Sequence, residues 1–116
     1  MQQIDDVKLK IFCGTPSYMA PEIIQKKEYN GYATDMWSLG IILFVMLAGM
    51  FPFNGATEKE LYGKICRGGL FHMPETIPFE ARRLIQQLLH FDPHKRMNAK
   101  TLCNDRWIAR NGINIE

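Results

Sequence analysis

Apolar positions along this chain recur mostly at helical spacing, and one stretch is apolar at almost every position. From Leu39 to Phe51 the run reads Leu-Gly-Ile-Ile-Leu-Phe-Val-Met-Leu-Ala-Gly-Met-Phe, the composition of a helix buried on all sides. Thr34 followed by Asp35 supplies a hydroxyl cap and an acid for the first turn, so this helix is expected from about Asp35 to Ala48, with Gly49 at its stop. The apolar run is shorter than the roughly 20 residues of a membrane span and is closed by Pro52 and Asn54, which makes it a core helix. Thr57-Glu58-Lys59-Glu60 has the form of a capping box and opens a helix from roughly Glu58 to Arg67, ended by Gly68-Gly69. Ala81, Leu84, Ile85, Leu88 and Leu89 fall at i, i+3, i+4, i+7 and i+8, the stripe of an amphipathic helix that His90-Phe91-Asp92-Pro93 stops. A last helix starts near Asn98, with Leu102 and Trp107 facing inward.

The first part of the chain is less regular. Ile4, Val7, Leu9 and Ile11 alternate loosely, which fits a short extended segment or an irregular lead-in. Ile23 to Lys27 suit one or two helical turns, and Asn30-Gly31 marks a turn. The predicted fold is all-α, with about four main helices around the apolar central one.

Composition narrows the classes. A chain of 116 residues, 47% hydrophobic and 22% charged, is one folded domain or a piece of one. Its net charge is +2, with Lys and Arg scattered among the acids, so no basic stripe suggests nucleic acid. Cys13, Cys66 and Cys103 are odd in number and lack paired ligand spacing, which points to reduced thiols rather than zinc. His72, His90 and His94 stand in no pairing that suggests a base or ligand, and solvated or capping roles are expected for them. Met1 to Asp6 has neither a basic start nor an apolar run, so no signal peptide is read and an intracellular, cytoplasmic location is expected.

Cys13-Gly14-Thr15-Pro16-Ser17-Tyr18-Met19-Ala20-Pro21-Glu22 cannot be regular structure. Pro16 and Pro21 fix their own φ and push the preceding residue toward extended backbone, and Gly14 permits a turn. The result is a rigid, partly apolar loop suited to an extended peptide. Its sequence resembles the Gly-Thr-Pro-x-Tyr-x-Ala-Pro-Glu segment of serine/threonine protein kinases, whose Ala-Pro-Glu is a family mark. Further along, Asp35-Met36-Trp37-Ser38-Leu39-Gly40 resembles the start of the kinase central helix, Pro52-Phe53 the end of its following loop, and Asp92-Pro93-His94-Lys95-Arg96 the Asp-Pro-x-x-Arg before its last helix. The spacing is most similar to the calcium/calmodulin-dependent and sucrose-nonfermenting/MARK-like branches.

The resemblance implies roles. Glu22 and Arg96 would form a buried ion pair joining the peptide loop to the helices, against the plainer view of two surface charges. Asp35 would bind the backbone of the family's catalytic loop, although a first-turn acid needs no such partner. Thr15 would contact catalytic-loop side chains, and Phe12, Pro16 and Met19 would line the pocket for the residue after the phosphorylated Ser or Thr; Gly14 and Tyr18 shape the same substrate-positioning loop. Phe12 and Met19 also suit a plain core role, and Trp37 is expected to pack.

Other kinase marks are missing from these residues. There is no Gly-rich nucleotide loop, no His-Arg-Asp and no Asp-Phe-Gly, so the base and the magnesium ligands have no counterpart. Ile11 stands where the branch resembled carries an activating Thr, and Val45 where some basophilic relatives carry a Glu. Residues 1–116 are thus expected to be a partial kinase domain, running from the end of the activation segment through the last helix, without the N-lobe, catalytic loop or metal motif. ATP and magnesium would serve the complete kinase and no cofactor this chain, which alone would be inactive. The expected partner is a protein or peptide substrate, with no nucleic acid and no membrane. The central helix would expose an apolar face for self-association. The alternative is a truncated, non-catalytic kinase-like module that binds proteins through the same groove.

Overall fold

The computed structural model describes residues 18–67 and 71–110. Among them the fold is all-α, built from α1 (Pro21–Ile24), α2 (Gly31–Ala48), α3 (Glu58–Ile65), α4 (Phe79–Leu88), α5 (Ala99–Cys103) and α6 (Arg106–Arg110), with no strand. The lead-in through Phe12 and the Gly68-Gly69 stop lie outside the described residues.

The central helix α2 starts earlier than Thr34 and Asp35 suggest. Asn30 is its cap, the side chain accepting from the Tyr32 N–H at 2.9 Å, so what reads as an Asn-Gly turn is a helix start. Asp35 consequently lies beyond the first turn and is exposed. Gly49, at φ 74°, ends the helix in the left-handed region where a side chain would be strained, and its N–H returns to the Val45 carbonyl. In α3 Thr57 Oγ1 accepts from the Glu60 N–H at 3.1 Å, while the Glu60 carboxylate reaches back to the Ala56 N–H at 3.3 Å. This helix ends at Ile65, short of Arg67. The last predicted helix is split. Asn98 caps α5, and Asp105 accepts from the Trp107 N–H at 2.9 Å to start α6 as a separate turn.

Burial on α2 is one-sided, so the helix is not buried on all sides as its composition suggests and has the exposed apolar face expected of it. Trp37, Ile41 and Phe44 form a fully buried face against Leu61 and Ile65 of α3 and Ala81, Ile85 and Leu89 at α4, with Phe53 and Ile77 from the loops. Met36 meets Leu84, Leu88, Met97, Leu102 and Ile108 in a second cluster. Helices α2 and α4 approach closely because position 40 has no side chain: a Cβ there would stand 2.8 Å from Leu88 Cβ and 2.9 Å from Leu89 Cδ2. Opposite this face Leu39, Ile42 and Met46 are exposed, Met46 at 72%. Begun at Gly31, α2 spans 18 residues, and it is the one helix among the described residues long and apolar enough to cross a membrane. A helix at the core of a folded domain passes the same test, and the packed Trp37, Ile41 and Phe44 face is such a core.

Candidate functional site

Pro21 opens α1 at a position where its missing N–H costs nothing, and this places Glu22 in the first turn. Glu22 is 3% exposed. Arg96, 6% exposed, comes from the loop between α4 and α5. That loop folds back on itself: Asp92 accepts from the His94 N–H through Oδ1 and from the Lys95 N–H through its carbonyl, and the Met97 N–H donates to the Gln87 carbonyl of α4. Arg96 Nη1 then donates to Glu22 Oε2 at 2.8 Å and Nη2 to Glu22 Oε1 at 3.0 Å, a bidentate pair. Nη1 also donates to the Ala33 carbonyl at 2.8 Å, Nε to the His90 carbonyl at 2.9 Å and Nη2 to the Phe91 carbonyl at 3.3 Å, so every N–H of the guanidinium has an acceptor. Thr34 Oγ1 donates to Glu22 Oε2 at 2.9 Å. The Trp37 ring lies 5.1 Å below the guanidinium carbon and stacks on Phe53 at 5.9 Å.

Burial, the largest influence on Glu22, raises its pKa. Hydrogen bonds from Arg96, the backbone and Thr34, together with the Arg96 charge, outweigh it and hold the carboxyl below its ordinary value. One ion pair therefore joins α1, the start of α2 and the loop before α5.

Tyr18 and Met19 sit just before α1. The Tyr18 carbonyl accepts from Ser38 Oγ of α2 at 3.3 Å, and its ring meets Phe51 edge-on at 5.3 Å. Met19 Sδ lies 3.5 Å from the Tyr62 hydroxyl of α3, which is 2.7 Å from Glu58 Oε1. The structure thus brings together Glu22, Trp37 and Arg96, while Tyr18 meets Ser38 and Phe51 and Met19 meets Tyr62. Asp35 is exposed on α2 and lines the same cleft as Arg96, with no contact to the ion pair shown. Phe12, Gly14, Thr15 and Pro16 lie outside the described residues. Thr34, Ser38, Glu58 and Tyr62 went unread as site residues: Thr34 and Glu58 carry cap signals, and only the fold shows their other contacts.

Among the described residues no three His, Cys, Asp or Glu side chains converge as a metal site. His90 accepts from the Asp92 N–H at 3.1 Å, a local cap, and His72 and His94 are exposed. Cys66 and Cys103 are free thiols; burial pushes the Cys66 pKa up against the opposing charge of Lys27. A cleft of about 1260 Å³ beside the α2 start mixes Lys26 and Lys27 with Glu28 and Asp35.

Comparison with known proteins decides the family. The model of the protein kinase domain matches residues 1–108. The chain belongs to the protein kinase family. It is 42% identical over 101 residues to the probable serine/threonine-protein kinase MARK-A of Dictyostelium discoideum, covering 87% of this chain and 9% of that protein. It is 41% identical over 110 residues to CBL-interacting serine/threonine-protein kinase 5 of Arabidopsis thaliana, covering 95% and 24%. The serine/threonine-protein kinase SIK3 homolog of Danio rerio is 36% identical over 102 residues, covering 88% and 8%. The kinase chain spans a quarter or less of these relatives' lengths. It corresponds to part of a serine/threonine-kinase-type domain, with the Ala-Pro-Glu mark of that family at α1.

Proposed function

We propose that this chain is the substrate-holding part of a serine/threonine protein kinase. The complete enzyme moves the γ-phosphoryl of magnesium-bound ATP to a protein Ser or Thr hydroxyl, and these residues supply the peptide loop and its helical support. The observation that carries this is the bidentate Glu22–Arg96 pair, which fixes the loop ending at Met19 to the core of the helices. Phe12, Pro16 and Met19 line the pocket for the residue that follows the phosphoacceptor, Gly14 and Tyr18 shape the loop, Thr15 meets the catalytic loop, and Asp35 binds that loop's backbone from α2. ATP, magnesium and the base act from sequence beyond these residues, and the 116-residue chain by itself transfers no phosphate. The setting is intracellular and cytoplasmic, and the partner is a protein substrate.

The test is steady-state kinetics on the longer kinase polypeptide that carries this chain. Met19→Ala is expected to raise KM for a Ser peptide and leave KM for ATP unchanged. Equal changes in both, or none in either, would remove Met19 from the substrate site. The 116-residue chain with Mg-ATP should give neither labelled peptide nor a thermal shift, and a saturable shift would reveal a nucleotide site.

A further inference from the structure

We propose that Glu58, held by Tyr62, selects a basic side chain in the substrate segment that follows the phosphoacceptor. This rests on the substrate-holding role given to Met19. Tyr62 Oη lies 2.7 Å from Glu58 Oε1 and 3.5 Å from Met19 Sδ. Its single proton serves one acceptor at a time, and an ionised carboxylate is a far better acceptor than a thioether. The phenol therefore orients the Glu58 carboxylate, and the sulfur packs against the same oxygen. The substrate pocket wall at Met19 thus continues into an aromatic ring and then into a fixed negative charge on α3.

The other acid of that turn is committed differently. Glu60 holds the Ala56 N–H at 3.3 Å and faces Lys64 at 3.8 Å, so its charge is used within α3. Glu58 is exposed and has no ion pair among the described residues. A thioether, a phenol ring and an oriented carboxylate in sequence match an arginine or lysine side chain, whose apolar stem packs on the first two and whose cationic head meets the third. Arginine fits best, because its fork can take a carboxylate oxygen and its plane can lie on the ring. Tyr62 is a positioning residue here and Glu58 a specificity residue.

The test uses the 116-residue chain and fluorescent Ser peptides that differ only in carrying Arg, Ala or Glu two or three residues after the Ser, read by anisotropy. The Arg peptide should bind about two- to fivefold more tightly than the Ala peptide, the range of an exposed ion pair, and the Glu peptide more weakly than either. Glu58→Gln should flatten the series and Glu58→Lys should invert it. Tyr62→Phe should reduce the Arg preference with the melting temperature unchanged, which a purely structural role would not do. Peptides that bind equally well, or an Arg preference that survives Glu58→Gln, would overturn the assignment and leave the substrate-holding role standing. Binding of none of the peptides would overturn both.

Discussion

Removing the Arg96 guanidinium would strand the Glu22 carboxylate and take a donor from the carbonyls of Ala33, His90 and Phe91 in one step. Breaking a buried pair on one side typically costs about 3–5 kcal/mol, a large share of the ~5–15 kcal/mol that holds a domain together. Arg96→Met is therefore expected to lower the urea unfolding free energy by about that much, and Glu22→Gln, which keeps a hydrogen-bonding group in place, by less. Acid should report the same pair. The folded-state pKa of Glu22 lies below its ordinary value of 4.5, so its contribution is present in full above that pH and is lost as pH falls through the folded value. The urea midpoint should fall on acidification below about pH 4.5 in the native chain and fall less in Glu22→Gln; parallel profiles would place the acid sensitivity elsewhere. Charge pattern alone gives no reason to join residues 74 positions apart, and only motif resemblance puts Glu22 and Arg96 in one sentence. Thr34 is harder still to read, because a hydroxyl before an acid is a cap signal while its actual acceptor is Glu22.

Legibility differs from helix to helix for a simple reason. Helix α4 shows a clear stripe, and Ala81, Leu84, Ile85 and Leu88 are buried as that stripe requires. In α2 almost every position is apolar, so periodicity cannot say which face is covered, and its cap was obscured by an Asn-Gly pair that also reads as a turn. Position 40 marks the covered face, since only a residue without Cβ lets Leu88 and Leu89 come so near. Two glycine substitutions should therefore have opposite signs. Adding a methyl gains up to about 1 kcal/mol of helix propensity at either site. At Gly40 the clash with Leu88 Cβ outweighs it, since overpacking costs about 1–3 kcal/mol, and Gly40→Ala should destabilise. At Gly63 in α3 the nearest atom is the far end of Arg67 at 3.9 Å, and Gly63→Ala should stabilise. Thermal unfolding of the two variants decides it; a stabilising Gly40→Ala would mean that α2 and α4 are not so closely packed, and a destabilising Gly63→Ala that α3 has no room for the methyl.

Among the described residues α2 has a covered side and an uncovered one. The core gathers between α2, α3 and α4, and the opposite flank of α2 presents Leu39, Ile42 and Met46, continued by Met50 beyond the helix and by Tyr32, 85% exposed, near its start. Leu39, Ile42 and Met46 follow one another at helical spacing within α2, so they form a stripe rather than scattered apolar points. The sequence announces an apolar helix, but which side stays open is set by the topology that brings α3 and α4 to the Trp37 face. Such a stripe in water favours association of the isolated chain, driven by removal of apolar area at roughly 25 cal/mol per Å². Sedimentation velocity over rising concentration should show a monomer giving way to a larger species. A chain carrying both Ile42→Glu and Met46→Glu should stay monomeric with an unchanged helical circular dichroism spectrum, because neither side chain enters the core clusters. Loss of helix in that variant would show that the stripe is needed for folding, and a native chain that remains monomeric without binding a hydrophobic dye would show that the stripe is covered from within.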